Sequence, residues 1–222
     1  MAIEMTEPGV DGLPAVLIAL RSWQRPDEVR VPLHPGDIGW FWRFGPEATA
    51  AAVRTWSDGT RLVAVGLYDD GVLRLATDPG IDRGSAHAIA DGVWGRNGAL
   101  LATRGTFSAD EPGVEVVEVR AADGVRAALR ARGWVDDEPW TPLVRDLAEP
   151  VPDPRVRIVE VGPDTVDDRV AVQRAAFDSS TFTADRWRAM AAGPAYADAR
   201  CLVAYDDGVP VAAVTVWSAG PG

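Results

Sequence analysis

The sequence predicts an α/β (α+β) protein built from two units, and three observations lead to this prediction. Segments with helical apolar spacing alternate along the chain with short strand patterns. The turns Ser57-Asp58-Gly59 and Asp69-Asp70-Gly71 contain Asp-Gly, a strong signal for a hairpin, and so indicate an antiparallel meander. Three prolines between residues 149 and 155 favour an extended linker. We therefore expect a first unit at 1–148, a linker at 149–155 and a second unit at 156–222.

The first unit is predicted to alternate helices and strands from its start to the linker. Its predicted elements are a helix at 14–23, strands at 36–44, 51–56, 61–68 and 72–77, a helix at 85–94, strands at 99–103 and 114–119, a helix at 124–132, and a strand at 140–147. In the strand at 36–44, Trp40, Trp42 and Phe44 alternate onto one face. We interpret that face as part of the core, with the wall of a ligand cleft as the alternative. Gly133 is predicted to end the last helix.

The second unit is predicted to repeat the opening of the first. Its predicted elements are a strand at 156–161, helices at 164–177 and 184–192, and strands at 200–205 and 210–217. Residues 205–216 align without gaps on residues 56–67, and each segment has an aromatic residue, an acidic turn, a glycine and an apolar strand. The position of this match in the order of elements predicts an internal repeat.

The charge of the chain excludes several classes of function. It carries 33 acidic residues against 22 basic ones, a net charge of −11, and all the basic residues are arginines. Such an acidic surface repels phosphate backbones, so we expect no nucleic-acid partner. The absence of lysine excludes a Schiff-base or P-loop lysine.

Composition also bears on the compartment and on metals. The single cysteine, Cys201, lies in an apolar run and is interpreted as a buried residue of a protein in a reducing compartment. The longest apolar stretch near the start, residues 13–20, is far shorter than a bilayer span, so we expect a cytoplasmic protein without a membrane partner. Only His34 and His87 could supply imidazole ligands, and neither has a cysteine pair nearby, so no metal site is expected.

The segment 76–90 is the strongest candidate for a ligand site. A predicted strand ends at Thr77, and a loop of small residues then opens a helix. Backbone N–H groups and the positive end of a helix dipole can hold a pyrophosphate at such a place, and Arg83 would add positive charge. His87, inside this segment, is interpreted either as a solvent-facing residue or as a contact to a phosphate.

The sequence Arg83-Gly84-Ser85-Ala86-His87-Ala88 resembles the coenzyme A loop of the GNAT superfamily of N-acetyltransferases. The family pattern is Arg/Gln-x-x-Gly-x-Gly/Ala, and Ala86 replaces its central glycine. The resemblance implies that Thr77 and these six residues hold acetyl-CoA as a co-substrate. It also implies a tandem GNAT fold, similar to that of two-domain members of the mycothiol synthase type, with a central mixed, mostly antiparallel sheet flanked by helices.

Two departures from the family pattern concern catalysis. Many members use a tyrosine general acid in the late helix, where this chain has Leu129, and a glutamate on the strand before the loop, where residues 72–77 have none. We therefore interpret the first unit as a degenerate copy. The second unit matches only the first half of the family fold, so its catalytic residues stay unassigned and are expected beyond Gly222.

The segment between the helices of the second unit covers the acceptor pocket in the family. The resemblance thus makes Asp178, Phe182 and Trp187 candidates for binding a small amine acceptor, which would attack the thioester directly. The alternative is a helix cap at Asp178 or Ser179 with both rings in the core.

Two other functions remain open at this point. The chain is either a non-catalytic GNAT-like unit with a structural or regulatory role, or an assembly module. In the assembly module, the exposed strand at 210–217 would pair with another chain, for example in a homo-oligomer.

Overall fold

The computed structural model describes residues 2–25, 33–94, 116–138, 141, 143, 145–146 and 148–219. These residues form a mixed α/β structure with one five-stranded sheet and one three-stranded sheet, which confirms the predicted class. The helices are α1 Gly9–Trp23, α2 Pro35–Phe41, α3 Pro46–Ala52, α4 Arg83–Trp94, α5 Asp123–Arg130, α6 Val166–Ala176 and α7 Ala184–Ala191. The strands are β1 Ile3–Thr6, β2 Val53–Asp58, β3 Arg61–Asp69, β4 Val72–Thr77, β5 Val116–Val119, β6 Arg157–Glu160, β7 Arg200–Asp206 and β8 Val209–Val216. Among the described helices, none is both long and apolar enough to cross a lipid bilayer.

The larger sheet has the strand order β1-β2-β3-β4-β5, and helices cover both of its faces. Neighbouring strands are antiparallel except β4 and β5, which are parallel. One apolar cluster joins α1, α2 and α3 to one face, and a second joins α4 and α5 to the other. The predicted meander is confirmed, and its turn at Asp70-Gly71 places both residues at positive φ, as a type I′ hairpin turn requires.

The predicted strand at 36–44 is wrong, because this segment forms α2 followed by a 3-10 helix at Trp42–Phe44. His34 Nδ1 accepts a hydrogen bond from the Gly36 N–H at 2.8 Å, and the Asp37 carboxylate accepts one from the His34 N–H at 2.7 Å. Pro35 occupies the first turn, where its missing N–H does no harm. This reciprocal cap starts a helix, and it outweighs the alternation of the aromatic residues.

The His34 cap predicts a dependence of stability on pH. Burial lowers the pKa of His34 below its ordinary value of 6.5, although the Asp37 charge opposes this shift. The unfolded chain then binds more protons than the folded one, so stability falls as pH falls from 6.5 towards the folded pKa. We expect His34→Asn, which caps without titrating, to lose less stability between about pH 7 and about pH 5.5.

Urea unfolding of both proteins at the two pH values measures this difference. Burial raises the pKa of Asp37, and this residue is present in both proteins, so its own titration largely cancels in the comparison. An equal loss of stability in the two proteins would contradict the proposed role of His34.

Several boundaries differ from the predictions in the first unit. α1 begins at Gly9, before the predicted start, and contains Pro14. The structure also contains β1 and α3, which the sequence does not predict. Residues 51 and 52 belong to α3 rather than to β2. The predicted strand at 99–103 lies outside the described residues. The described residues between 140 and 147 belong to no strand, and the others of that segment lie outside the described part. Gly133, with φ of 94°, follows α5 as predicted.

The second unit contains every element predicted for it, and its sheet has the antiparallel order β6-β7-β8. Both units therefore begin with a strand and continue through helices to a hairpin whose first strand pairs with that opening strand. Each hairpin has a bulge: Trp56 faces Ala64 while Ser57 faces Leu62, and Ala204 faces Ala212 while Tyr205 faces Pro210. Trp56 thus corresponds to Ala204, so the ungapped sequence alignment of the two hairpins is wrong by one residue.

The two predicted units contact each other through an aromatic interface, which we define as the contacts of Trp40, Trp42 and Trp217. The Trp40 ring stacks on Phe182 with 5.4 Å between ring centroids. Trp42 lies against Gly193, and Trp217 lies against Gly36 and Gly39 of α2, so close that none of these glycines has space for a β-carbon. The second unit is therefore packed directly onto α2 and the following 3-10 helix.

Candidate functional site

The first candidate site is a cavity of about 280 Å³ where the parallel strands β4 and β5 separate, called the β4–β5 cavity below. The two strands pair up to Leu75 and Val119, but β4 continues to Thr77 while β5 ends. The cavity opens beyond this point, beside the first turns of α4 and α5. Its lining residues are Thr77, Asp78, Pro79, Ile81, Asp82, Arg83, Ala86, Ala121, Ala122, Asp123 and Gly124.

The predicted cofactor residues lie in or next to this cavity. Thr77, Arg83 and Ala86 line it. The other four, Gly84, Ser85, His87 and Ala88, belong to the first two turns of α4 without lining the cavity. The His87 carbonyl accepts a hydrogen bond from Arg132 at 3.3 Å, which ties this turn to the end of α5.

The charge of the β4–β5 cavity is unfavourable for a pyrophosphate. The Asp82 carboxylate accepts a hydrogen bond from the Ser85 N–H at 2.7 Å, and bonds from Ser85 lower the pKa of Asp82. The start of α4 is thus already capped by a carboxylate of its own chain. Asp78 and Asp123 also line the cavity, against Arg83 as the one cation among the lining residues. A bound polyanion would have to displace Asp82 and lie beside the other carboxylates.

The resemblance to GNAT proteins would require a tyrosine general acid at position 129, where this chain has leucine. Leu129 is buried in the apolar cluster that joins α4 and α5 to the sheet. Its neighbours Ala86, Ile89 and Val125 belong to the same cluster. This position therefore supplies packing and no proton.

The second candidate site is a cavity of about 680 Å³ beside the aromatic interface, called the arginine cavity below. The 3-10 helix and the end of α2 form one wall, and α6, α7, the segment between them and β8 form the others. Its lining residues are Trp40, Arg43, Phe44, Arg169, Gln173, Phe177, Ser179, Ser180, Thr181, Phe182, Arg186, Ala213, Val214, Thr215 and Trp217.

Of the predicted acceptor residues, the structure brings only Phe182 to this cavity. Asp178 is exposed in the segment between α6 and α7 and does not line the cavity. Trp187 is half-buried and packs against the apolar core of the second unit, edge-on to Tyr196 with 6.3 Å between ring centroids.

Sequence reasoning missed the three arginines of the second cavity, Arg43, Arg169 and Arg186. One signal was present, because Arg169 follows Val166 by three residues and so lies at the spacing of the buried face of α6. An arginine at a buried position is unusual enough to suggest a special role. No comparable signal brings Arg43 next to the other two, since that contact depends on how α2 meets the second unit.

Within the described part of the chain, β8 forms one edge of the smaller sheet, and its exposed side chains include Val209, Val211, Val214 and Val216. This leaves pairing through β8 in a homo-oligomer as a prediction.

The described residues contain no group of three or more His, Cys, Asp or Glu side chains placed to hold a metal ion. Comparisons with protein-family models, with curated proteins and with solved structures find no match to this chain.

Proposed function

We propose that the chain is a tandem GNAT-type N-acetyltransferase that transfers an acetyl group from acetyl-CoA to a small amine. The observation that carries the proposal is the separation of the parallel strands β4 and β5 above a cavity, beside the loop that opens α4. Where the pairing of two parallel strands ends, backbone groups that face the gap can bind an extended ligand. Thr77 and Ala86, which line the gap, are small enough to let a ligand approach the backbone.

The proposed reaction needs no covalent intermediate on the enzyme. The amine nitrogen attacks the thioester carbonyl, the C–S bond breaks, the thiolate leaves, and a base takes the proton of the amine. Neither Leu129 nor the residues of β4 provide these acid and base groups in the first unit. The proposal therefore assigns the first unit a binding role at most.

Titration of acetyl-CoA into variants of Asp82 and Arg83 tests this proposal. Asp82→Asn keeps a helix cap but removes a negative charge from the β4–β5 cavity, so we expect it to bind acetyl-CoA at least threefold more tightly than the original chain. Arg83→Ala removes the one cation of the lining and should weaken binding at least fivefold. Isothermal titration calorimetry measures both constants.

Arg188→Ala is the matched control for Arg83→Ala. Arg188 is 60% exposed on α7 and pairs with Asp185 at 2.6 Å, so its loss changes the net charge without touching the cavity. Affinities that respond equally to Arg83→Ala and Arg188→Ala would show that only net charge matters. No binding by any variant at millimolar acetyl-CoA would contradict a cofactor site in the first unit.

A structural or regulatory unit is the second candidate function. The three carboxylates of the β4–β5 cavity and the burial of Leu129 favour it, because both oppose the use of this unit for acyl transfer. Under this alternative neither the original chain nor Asp82→Asn binds acetyl-CoA.

A further inference from the structure

The arginine cavity contains a buried guanidinium group, that of Arg169, which has no charged partner among the described residues. Arg169 is only 4% exposed, and its Nη1 donates to Gln173 Oε1 at 3.0 Å. Its buried Nε has no hydrogen-bond partner, and the group lies 5.1 Å from the centre of the Phe182 ring. Among the described residues, no carboxylate lies within ion-pair distance of Arg169. A buried charge of this kind is costly unless an anion binds to it.

Two further guanidinium groups line the same cavity, and both lie near the Phe44 ring. Arg43 lies 4.1 Å from the centre of the Phe44 ring and 4.3 Å from that of Trp40, and its Nη1 donates to the Trp40 carbonyl at 2.9 Å. Arg186 lies 5.1 Å from the centre of the Phe44 ring and donates a hydrogen bond to Thr181 Oγ1. Neither forms an ion pair within the part of the chain that the structure describes.

The environment of Arg43 agrees with a local excess of positive charge. Burial lowers the pKa of Arg43 to about 10; the Asp69 charge opposes the shift, and the charges of Arg186 and Arg74 add to it. Asp69 itself lies 3.6 Å from Arg74, so it is shared with a second guanidinium. Positive charge thus accumulates here in a chain whose net charge is −11.

The remaining lining residues indicate what kind of anion the cavity would take. None of the lining residues is acidic. The hydroxyl groups of Ser179, Ser180 and Thr181 can donate further hydrogen bonds, while Phe177, Phe182 and Trp217 offer apolar surface. The volume of about 680 Å³ lies within the usual range for small-molecule sites.

We propose that the arginine cavity is a binding site for a small organic oxyanion, a carboxylate or phosphate attached to an apolar group. Arg169, Arg43 and Arg186 hold the oxyanion, as arginines do through their planar forks of N–H groups. The site goes beyond the proposed acetyl transfer, because it shares no lining residue with the β4–β5 cavity. It also has the opposite charge preference from a site for a cationic amine.

Three probes with the same ring and different charges test the proposal directly. Benzoate, phenyl phosphate and benzylamine are titrated separately into the full chain by calorimetry. We expect at least one of the two anions to bind with a millimolar or lower dissociation constant, and benzylamine to bind at least tenfold more weakly. Inorganic phosphate is titrated as a fourth probe to distinguish a phosphate site from a carboxylate site. We expect it to bind only if phenyl phosphate also binds.

Variants of α7 locate the binding in the cavity. Arg186→Gln should weaken binding of the anion at least fivefold, because a charged hydrogen bond is lost. Arg188→Gln is the matched control, since it removes the same charge from the same helix at an exposed position, and it should change affinity less than twofold. Arg83→Ala should leave the affinity for the anion unchanged, which separates this site from the acetyl-CoA site.

The proposal is overturned by any of three results. These are failure of both anions to bind, binding of benzylamine as tight as that of the anions, and equal losses in Arg186→Gln and Arg188→Gln. A chain that binds an anion but not acetyl-CoA would instead contradict the cofactor site of the first unit and leave the oxyanion site standing.

Discussion

Replacement of Gly39 by alanine is expected to destabilise the chain by about 1–3 kcal/mol, although alanine favours helices. A β-carbon at Gly39 would lie 2.4 Å from Cζ3 of the Trp217 ring, inside van der Waals contact. The ring cannot move freely, because it also packs edge-on against Tyr196 with 6.0 Å between ring centroids. The strain therefore falls on the contact between α2 and the second unit.

A double-mutant cycle with Trp217→Ala isolates this contact. Without the ring, Gly39→Ala meets no obstacle from Trp217, and its helix propensity should stabilise the chain by up to about 1 kcal/mol. The effect of one substitution thus changes sign with the presence of one side chain. Chemical denaturation of the four proteins gives the free energies of unfolding.

Gly162→Ala is the control, because no atom lies within 4 Å of the β-carbon it would add. We expect it to leave stability almost unchanged. A Gly39→Ala variant that is equally destabilised with and without Trp217 would show that the ring does not press on α2.

The elements that the sequence predicts correctly are those whose signals are local. The Asp70-Gly71 turn fixes a hairpin through the backbone angles of two residues, and the same holds at Asp207-Gly208. The strand prediction for residues 36–44 is wrong because two local signals compete there. The aromatic alternation favours a strand, and the cap favours a helix. The cap of His34 and Asp37 is also a local signal, but an unusual one, since histidine is not among the preferred N-cap residues.

The two cavities differ in how close their lining residues lie to one another in the sequence. The β4–β5 cavity is predictable because a strand, a loop and a helix that follow one another along the chain bring Thr77, Arg83 and Ala86 together. The arginine cavity joins Arg43 to Arg169 and Arg186 from segments more than 120 residues apart in sequence. No spacing rule connects such positions, so their convergence depends on the packing of the aromatic interface.

Arg169→Met is expected to stabilise the unliganded chain by about 1–2 kcal/mol and to abolish oxyanion binding. Methionine has a similar length and helix propensity, so α6 and the packing against Phe182 are retained. The substitution removes a buried guanidinium whose Nε has no partner. Gln173 loses one hydrogen bond, but its side chain is only half-buried and can bond to water instead.

Arg174→Met is the control for this prediction, because Arg174 is exposed in the last turn of the same helix. Its loss should change the free energy of unfolding by less than about 0.5 kcal/mol and leave benzoate and phenyl phosphate binding as it was. Urea denaturation and calorimetry measure the two effects on the same proteins. Replacement of a residue retained only for packing would destabilise the chain and leave anion binding unchanged, so that pair of results for Arg169→Met would contradict the binding role. A gain in stability together with a loss of anion binding is the result expected of a residue kept for its ligand, because its buried charge is fully compensated when the oxyanion is bound.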